Sequence, residues 1–312
     1  MHRYVRNCFL GLMFLILLTC LSCGSSEVAK TSSPIEITDQ LGRVVKLDKM
    51  PQRIVSLAPS NTEILFALGA ADKVVAVTDY CNYPAEAKEK PSVGGFSTPN
   101  IEKIVALSPD LVLATSMHQK SVIPNLGGKG ILVLALAPKT LDEILESITL
   151  VGKITGEEEE ASKLVAEMQN RIKAVTDRTN SLSEDGRPTV FYLTWQDPLK
   201  TSGVGTLAHE LIQKAGGRNI FPEIVGTQSI DLESLVARNP QIMVAGISMG
   251  SGGDTTFQYL KTETRLQNTE AGKNGRIYKI DIDLTGRFGP RIVDGLEQFA
   301  RFIHPELFPE TK

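Results

Sequence analysis

Reactive and metal-ligating side chains in this 312-residue sequence are few and widely spaced. Beyond the N-terminal leader the histidines are His118, His209 and His304, and none forms an HExxH pair or another ligand spacing, so no metal centre is expected. Cys81 is the one thiol in the body of the chain; with no base at motif spacing it reads as a small loop residue, or as a soft ligand beside Tyr80. Ser202-Gly203-Val204-Gly205-Thr206, ahead of a helix, is similar to an anion cradle. It lacks the P-loop lysine and the full dinucleotide fingerprint, and reads as a turn with a helix cap. No catalytic residue is assigned and no cofactor is implied. The chemistry that remains is recognition.

Aromatic residues make up only 6% of the chain, yet several fall between elements. Tyr80, Tyr83 and Phe96 lie in loops of the first half, and Trp195, the sole tryptophan, follows the first strand of the second. Ligands of α/β sheets bind in loops beyond the carboxyl ends of the strands, so two facing lobes would set these rings across one cleft, suited to a large, flat, partly apolar ligand. The plainer reading is that Tyr83, beside Pro84, and Trp195 plug lobe edges. Arg287, in the loop Thr285 to Pro290, is placed to meet a polar edge of the ligand, whereas Arg291 serves equally well as a structural residue. Glu102 and Glu233 stand near the starts of two short helices at matching positions. Taken alone, compensation of the helix dipole accounts for them, as it does for Glu63 in the first turn of another helix.

A repeating order of strand and helix carries these side chains. Val44 to Leu47, Arg53 to Leu57, Val74 to Val77, Leu111 to Ala114 and Ile131 to Leu136 have strand character. Helices are expected at Glu63 to Leu68, capped by Asn61 or Thr62 and closed by Gly69; at Ile101 to Leu107, capped by Asn100; at Ile123 to Leu126; and after the Thr140–Glu143 capping box. The order then returns with strands at Thr189 to Leu193, Ile242 to Ala245 and Ile277 to Ile280, and helices at Thr206 to Ala215, Leu232 to Ala237 and Pro290 to Ile303. This predicts an α/β fold with mainly parallel sheets covered on both faces.

The two halves share a duplicated segment. Asn100 to Ala114 aligns with Asp231 to Ala245 without a gap, with Glu102/Glu233, Val105/Val236, Ala106/Ala237, Pro109/Pro240 and Ala114/Ala245 identical. Between the halves, Ala161, Leu164, Val165, Met168, Ile172 and Val175 form one helical face, with Thr155 and Glu158 as a capping box and an acidic run at the positive end of the dipole. At roughly 1.5 Å per residue this helix approaches ~40 Å, enough to bridge two bodies. The expected organisation is a leader at 1–22, a flexible tether at 23–34, a lobe at 35–154, one linking backbone helix at 155–182 and a similar lobe at 183–312, with the ligand cleft between the lobes. A single stiff joint predicts small opening motions.

Composition agrees: 42% hydrophobic and 22% charged residues suit an ordinary globular chain with two cores, and a net charge of −3 offers no electrostatic case for nucleic acid. His2, Arg3 and Arg6 precede the apolar run Cys8 to Leu18, which suits a signal peptide. The run ends in Thr19-Cys20-Leu21-Ser22-Cys23-Gly24, which resembles a bacterial lipoprotein signal. Cys23, after the small Ser22, is the better acceptor of lipid, with Cys20 as the other candidate.

Ile54 to Gly69, Asp79-Tyr80-Cys81-Asn82-Tyr83-Pro84, Val93 to Phe96, Asn100 to Leu113 and Gly289 to Val293 together resemble the substrate-binding proteins of cobalamin ABC importers, in the helical-backbone class of periplasmic binding proteins. The resemblance covers nearly everything from Ile35 to Pro305. It implies a monomeric receptor, lipid-anchored in the periplasm or on the outer face of the cytoplasmic membrane, that captures a corrinoid (cobalamin) and delivers it to an ABC transporter permease. The corrinoid is cargo rather than cofactor. In that family one acidic residue per lobe docks onto permease arginines, and these positions match Glu102 and Glu233. Aromatics that hold the corrin match Tyr80 and Phe96, more loosely Tyr83 and Trp195, and an aromatic of the last loop is replaced by Leu284. Ferric-siderophore and haem receptors share the scaffold and form the alternative; a two-lobed enzyme with its site in the cleft is the remote one.

Overall fold

The alternating short apolar runs and capped helices resolve into two sheets and the helices packed on them, in a computed structural model that describes residues 34–248 and 254–309. The expected leader at 1–22 and the candidate lipidation site at Cys23 lie outside the described residues. The described chain belongs to one compact unit that begins at Pro34. No helix among the described residues is long and apolar enough to cross a membrane.

The first sheet is wholly parallel, in the order β4 (Val74–Ala76), β3 (Ile54–Ser56), β5 (Leu111–Thr115), β6 (Val133–Leu136). Its strands are buried on both faces, which is why they read as unbroken apolar runs rather than alternating ones. Helices α1 (Pro59–Ala67), α2 (Ile101–Ala106) and α3 (Val122–Gly127) connect them, and α4 (Leu141–Thr155) follows. An antiparallel ribbon, β1 (Ile35–Thr38) with β2 (Val44–Leu47), docks on this sheet through the buried Asp39, whose Oδ2 accepts the N–H of Ala135 at 3.1 Å.

The second sheet is mixed. Strands β7 (Thr189–Gln196), β11 (Ile242–Ile247) and β12 (Ile277–Asp281) run parallel, with the two-residue β9 (Arg218–Asn219) on β7. On the other side β8 (Leu199–Ser202) folds back antiparallel on β7 and β10 (Thr227–Ser229) extends it. The hairpin departs from the expected parallel order because only Asp197 and Pro198 separate β7 from β8, too few residues for a crossover. Around it stand α6 (Leu207–Lys214), α7 (Leu232–Arg238), α8 (Thr255–Thr262), the single turns α9 (Thr264–Gln267), α10 (Glu270–Lys273) and α11 (Asp283–Gly286), and the last helix α12 (Ile292–Ile303).

The duplicated segments fold alike. Asn100 Oδ1 accepts the Lys103 N–H at 2.9 Å and Asp231 Oδ1 the Ser234 N–H at 2.6 Å, starting α2 and α7. Each helix ends at a residue in the left-handed region, Ser108 at φ 46° and Asn239 at φ 49°, the two non-glycine residues with positive φ among the described residues. Each segment then passes a proline and enters a strand whose residues alternate between the same two faces: Leu111 and Leu113, like Ile242 and Val244, face the large shared core, while Val112 and Ala114, like Met243 and Ala245, face the outer cores.

That shared core runs from the first sheet through α4 and α5 (Glu158–Thr179) to the second sheet and α12. On α5, Ala161, Met168 and Val175 are buried in it and Leu164, Val165 and Ile172 pack against it, the face the spacing predicts. The start of α5 differs from expectation. Thr155 is the last residue of α4, its hydroxyl bonded to the Val151 carbonyl at 2.8 Å, and no side chain caps α5. Gly156, at φ 80°, ends α4 in the left-handed region that favours glycine, so the capping box reading of Thr155 and Glu158 gives way to a sharp joint between two helices. At Gly152 an added Cβ would lie 2.4 Å from that of Ala161, which shows how closely the two helices approach.

Candidate functional site

A cleft of about 750 Å³ opens where loops leave the carboxyl ends of strands in both sheets. Pro59 and Ser60 follow β3, Tyr80 follows β4, Met117 follows β5, Pro138 follows β6, and Arg287 and Phe288 follow β12. This is the position that strand polarity dictates for a ligand site in parallel α/β sheets. Tyr80 and Met117 are exposed at 62% and 58%, large side chains left in water at the cleft, and Phe96 is half-buried in its wall.

Three of the aromatic and arginine candidates therefore meet: Tyr80, Phe96 and Arg287 line one cleft. Tyr83 and Trp195 are not among its lining residues. The Tyr83 ring lies under the Arg291 guanidinium at 4.0 Å, and Trp195, 51% exposed, donates from Nε1 to the Asp197 carbonyl at 2.6 Å. Leu284 is buried, and the last loop presents Phe288 to the cleft instead. Phe288 and Met117 were legible only as loop residues after strands; Gln40 and Leu41, which reach the cleft from the ribbon, carried no local signal.

Helix α1 anchors the cleft floor differently from the capped helix expected. It begins at Pro59, which supplies a preset φ in the first turn, so Asn61 and Thr62 fall inside the helix and do not cap it. Both are buried braces: Asn61 donates to the Ala114 carbonyl at 3.0 Å, and the Thr62 hydroxyl bonds Ser56 Oγ at 2.7 Å with Cys81 Sγ at 3.1 Å. Cys81 is buried and thus packs beneath the loop.

Glu63, one turn inside α1, is 3% exposed and does not serve the helix dipole. It accepts from Arg287 at 3.0 Å and from Arg291 through two bonds at 2.6 and 3.0 Å, and its partners lie 224 and 228 residues away. Arg287 also pairs with Asp283 at 2.8 Å and donates to Asn82 Oδ1 at 2.7 Å. Burial pushes the Asp283 carboxyl up, against the pull of the neighbouring Arg287 charge. A buried carboxylate facing two guanidiniums is a clasp between the halves, and losing one side would leave charge uncompensated. A second clasp joins Glu210 of α6 to the Leu141 N–H at the start of α4, at 3.0 Å.

The histidines stay apart. His118 bonds Thr115 and Phe96, His209 meets Asn219 at 3.2 Å, and His304 meets Glu306 at 2.9 Å. Among the described residues no group of three or more His, Cys, Asp or Glu is disposed to hold a metal ion. In the glycine run, Thr206 caps α6 by accepting the His209 N–H at 3.2 Å, and a Cβ on Gly203 would fall 2.0 Å from the Ile224 carbonyl oxygen, so close backbone packing accounts for that glycine.

Glu102 and Glu233 are both exposed. Their helices run back between parallel strands, which puts each N-terminus at the carboxyl-end edge of its own sheet, the edge that bears the cleft. Glu102 has no ion-pair partner among the described residues, whereas Glu233 pairs with Arg265 at 2.8 Å.

Comparison with known proteins agrees with this architecture. The chain is 33% identical, over 89% of its length and 88% of the relative's, to the uncharacterized ABC transporter substrate-binding lipoprotein YvrC of Bacillus subtilis (strain 168). Among solved structures it is similar to the periplasmic vitamin B12 binding protein BtuF of Vibrio cholerae, with 27% identity, a TM-score of 0.71 and coverage of 84% of this chain and 99% of that one. It is also similar to a periplasmic heme binding protein from Pseudomonas aeruginosa, with 27% identity, a TM-score of 0.74 and coverage of 84% and 96%. The family model described as periplasmic binding protein matches residues 54–284, from the first parallel strand to the helix that ends beside the cleft, and the chain belongs to that family.

Proposed function

We propose that this protein is an extracytoplasmic, lipid-anchored receptor that captures a corrinoid, cobalamin, in the cleft and hands it to an ABC transporter permease. The observation that carries the reading is the cleft itself: Tyr80, Phe96, Phe288 and Met117 offer flat and soft apolar surface, and among the described residues no carboxylate lines it and Lys139 and Arg287 are its two cations. A cleft of this kind holds a macrocycle by burying its faces, while amide and hydroxyl groups at the periphery meet Ser60, Gln40 and Gln119. No bond in the ligand needs to change, and the receptor acts as a monomer without a cofactor of its own. Cys23 would carry the lipid. Glu102 and Glu233 would dock one lobe each onto permease arginines, while Tyr83 and Trp195, exposed outside the cleft lining, are not assigned a ligand contact.

Calorimetry with cyanocobalamin tests this, with micromolar or tighter binding expected. Absence of binding, together with tight binding of haem or a ferric siderophore, would move the protein to the alternative receptor class, which the similarity to the heme binding protein keeps in view.

A further inference from the structure

A buried imidazole holds the Phe96 wall of the cleft from behind. His118 is 0% exposed and closes the short turn after β5. Its Nδ1 accepts the backbone N–H of Thr115 at 3.0 Å, so that nitrogen carries no proton. Its Nε2 faces the Phe96 carbonyl at 2.6 Å; a carbonyl only accepts, so Nε2 carries the proton and donates it. The Phe96 ring meets the imidazole edge-on with centroids 5.5 Å apart. Thr115 and Phe96 both line the cleft, so one side chain outside the lining joins two of its walls.

We propose that His118 is the positioning residue that holds Phe96 in the cleft wall, and that proton uptake at its Nδ1 loosens that hold and weakens ligand capture. A proton on Nδ1 would set two donors against each other at Thr115 and place a cation in a site without a counter-charge. Among the described residues no charged side chain hydrogen-bonds to or forms an ion pair with His118, and Lys120, two positions on, is exposed. Burial already holds the His118 pKa below its ordinary value, against the pull of the Phe96 hydrogen bond. The change therefore falls on the acid side of neutrality.

This inference rests on the cleft being the ligand site proposed above, and the test separates the two. Cyanocobalamin binding is measured at about pH 7.5 and about pH 5 for the wild type, His118→Phe and His118→Gln, where glutamine keeps a donor for the Phe96 carbonyl and does not titrate. The wild type should lose affinity on the order of tenfold at the lower pH, His118→Phe should be weak by roughly that factor at both, and His118→Gln should recover much of the loss with a flat pH profile. Coincident pH profiles for the wild type and His118→Gln would overturn the proposal. Should the wild type bind no corrinoid, the ligand reading fails alone. The proposal is then decided on the unliganded protein by NMR, where Nε2–H is the expected tautomer and the Phe96 amide should shift as His118 titrates; an Nδ1–H tautomer or an unmoved Phe96 amide rejects it.

Discussion

Segments 100–114 and 231–245 are the same piece of chain in two settings, and what they share differs in kind from what they do not. Both keep a polar cap, a buried aliphatic at Ile104 or Leu235, a left-handed residue and a proline. Both then use the next side chain to satisfy the start of a neighbouring strand: Asp110 Oδ2 accepts the N–H groups of Gln52 and Arg53 at 2.7 and 3.0 Å, and Gln241 Oε1 accepts that of Thr189 at 2.9 Å. Residues that settle backbone hydrogen bonds and core volume have stayed equivalent. Residues that meet a neighbouring element have diverged. Leu107 packs in an outer core, while its counterpart Arg238 lies over the Phe221 ring at 4.3 Å. Glu102 is left to solvent, while Glu233 is engaged by Arg265, itself also paired with Glu263 at 2.9 Å.

The largest effect should come from charge reversal at the paired glutamates. Glu102→Lys with Glu233→Lys should bring corrinoid uptake by cells to background while the purified variant still binds ligand, and normal uptake in the double variant would remove the docking role. Of the single changes, Glu102→Lys should cost more, because Glu233 shares its charge with Arg265, although solvent screens an exposed pair of this kind. Equal losses would show that the intramolecular pair is irrelevant to docking.

Next in size are the equivalent core residues, each 0% exposed. Ile104→Ala and Leu235→Ala should each destabilise by about 2–5 kcal/mol in urea titrations, because both open a cavity in an outer core. A large inequality would mean that one copy of the unit is much less tightly packed than the other. The smallest effect separates the left-handed residues. Ser108→Gly should stabilise by up to about 1 kcal/mol, because relief of the roughly 1–2 kcal/mol left-handed penalty exceeds the extra unfolded-chain freedom that glycine brings. Asn239→Gly should give no such gain, since asparagine tolerates that region and its Oδ1 accepts the Glu270 N–H at 2.7 Å. Matching gains in thermal melts would show that this hydrogen bond contributes nothing.

Much of the fold was legible because its signals are short-range. The caps at Asn100, Thr140 and Thr206 and the apolar stripe of α5 each depend on residues within a turn or two. Local rules fail where they meet a tertiary demand. Asn61 and Thr62 have the chemistry of caps, but Pro59 had already started the helix, and their side chains instead brace β3 and β5. The antiparallel β7–β8 hairpin hid behind a strand pattern that does not declare its partner.

The α/β order, the duplicated unit, the linking helix and the aromatic character of the loops can be read from the chain alone, since helix period, capping and strand burial are written in residues a few positions apart. Folding in three dimensions was needed to make Glu63 a buried clasp, to turn Phe288 rather than Leu284 toward the cleft, and to leave Tyr83 and Trp195 outside its lining. Whether a carboxylate is solvated or locked between two arginines depends on groups 224 residues away, and no local pattern encodes that distance.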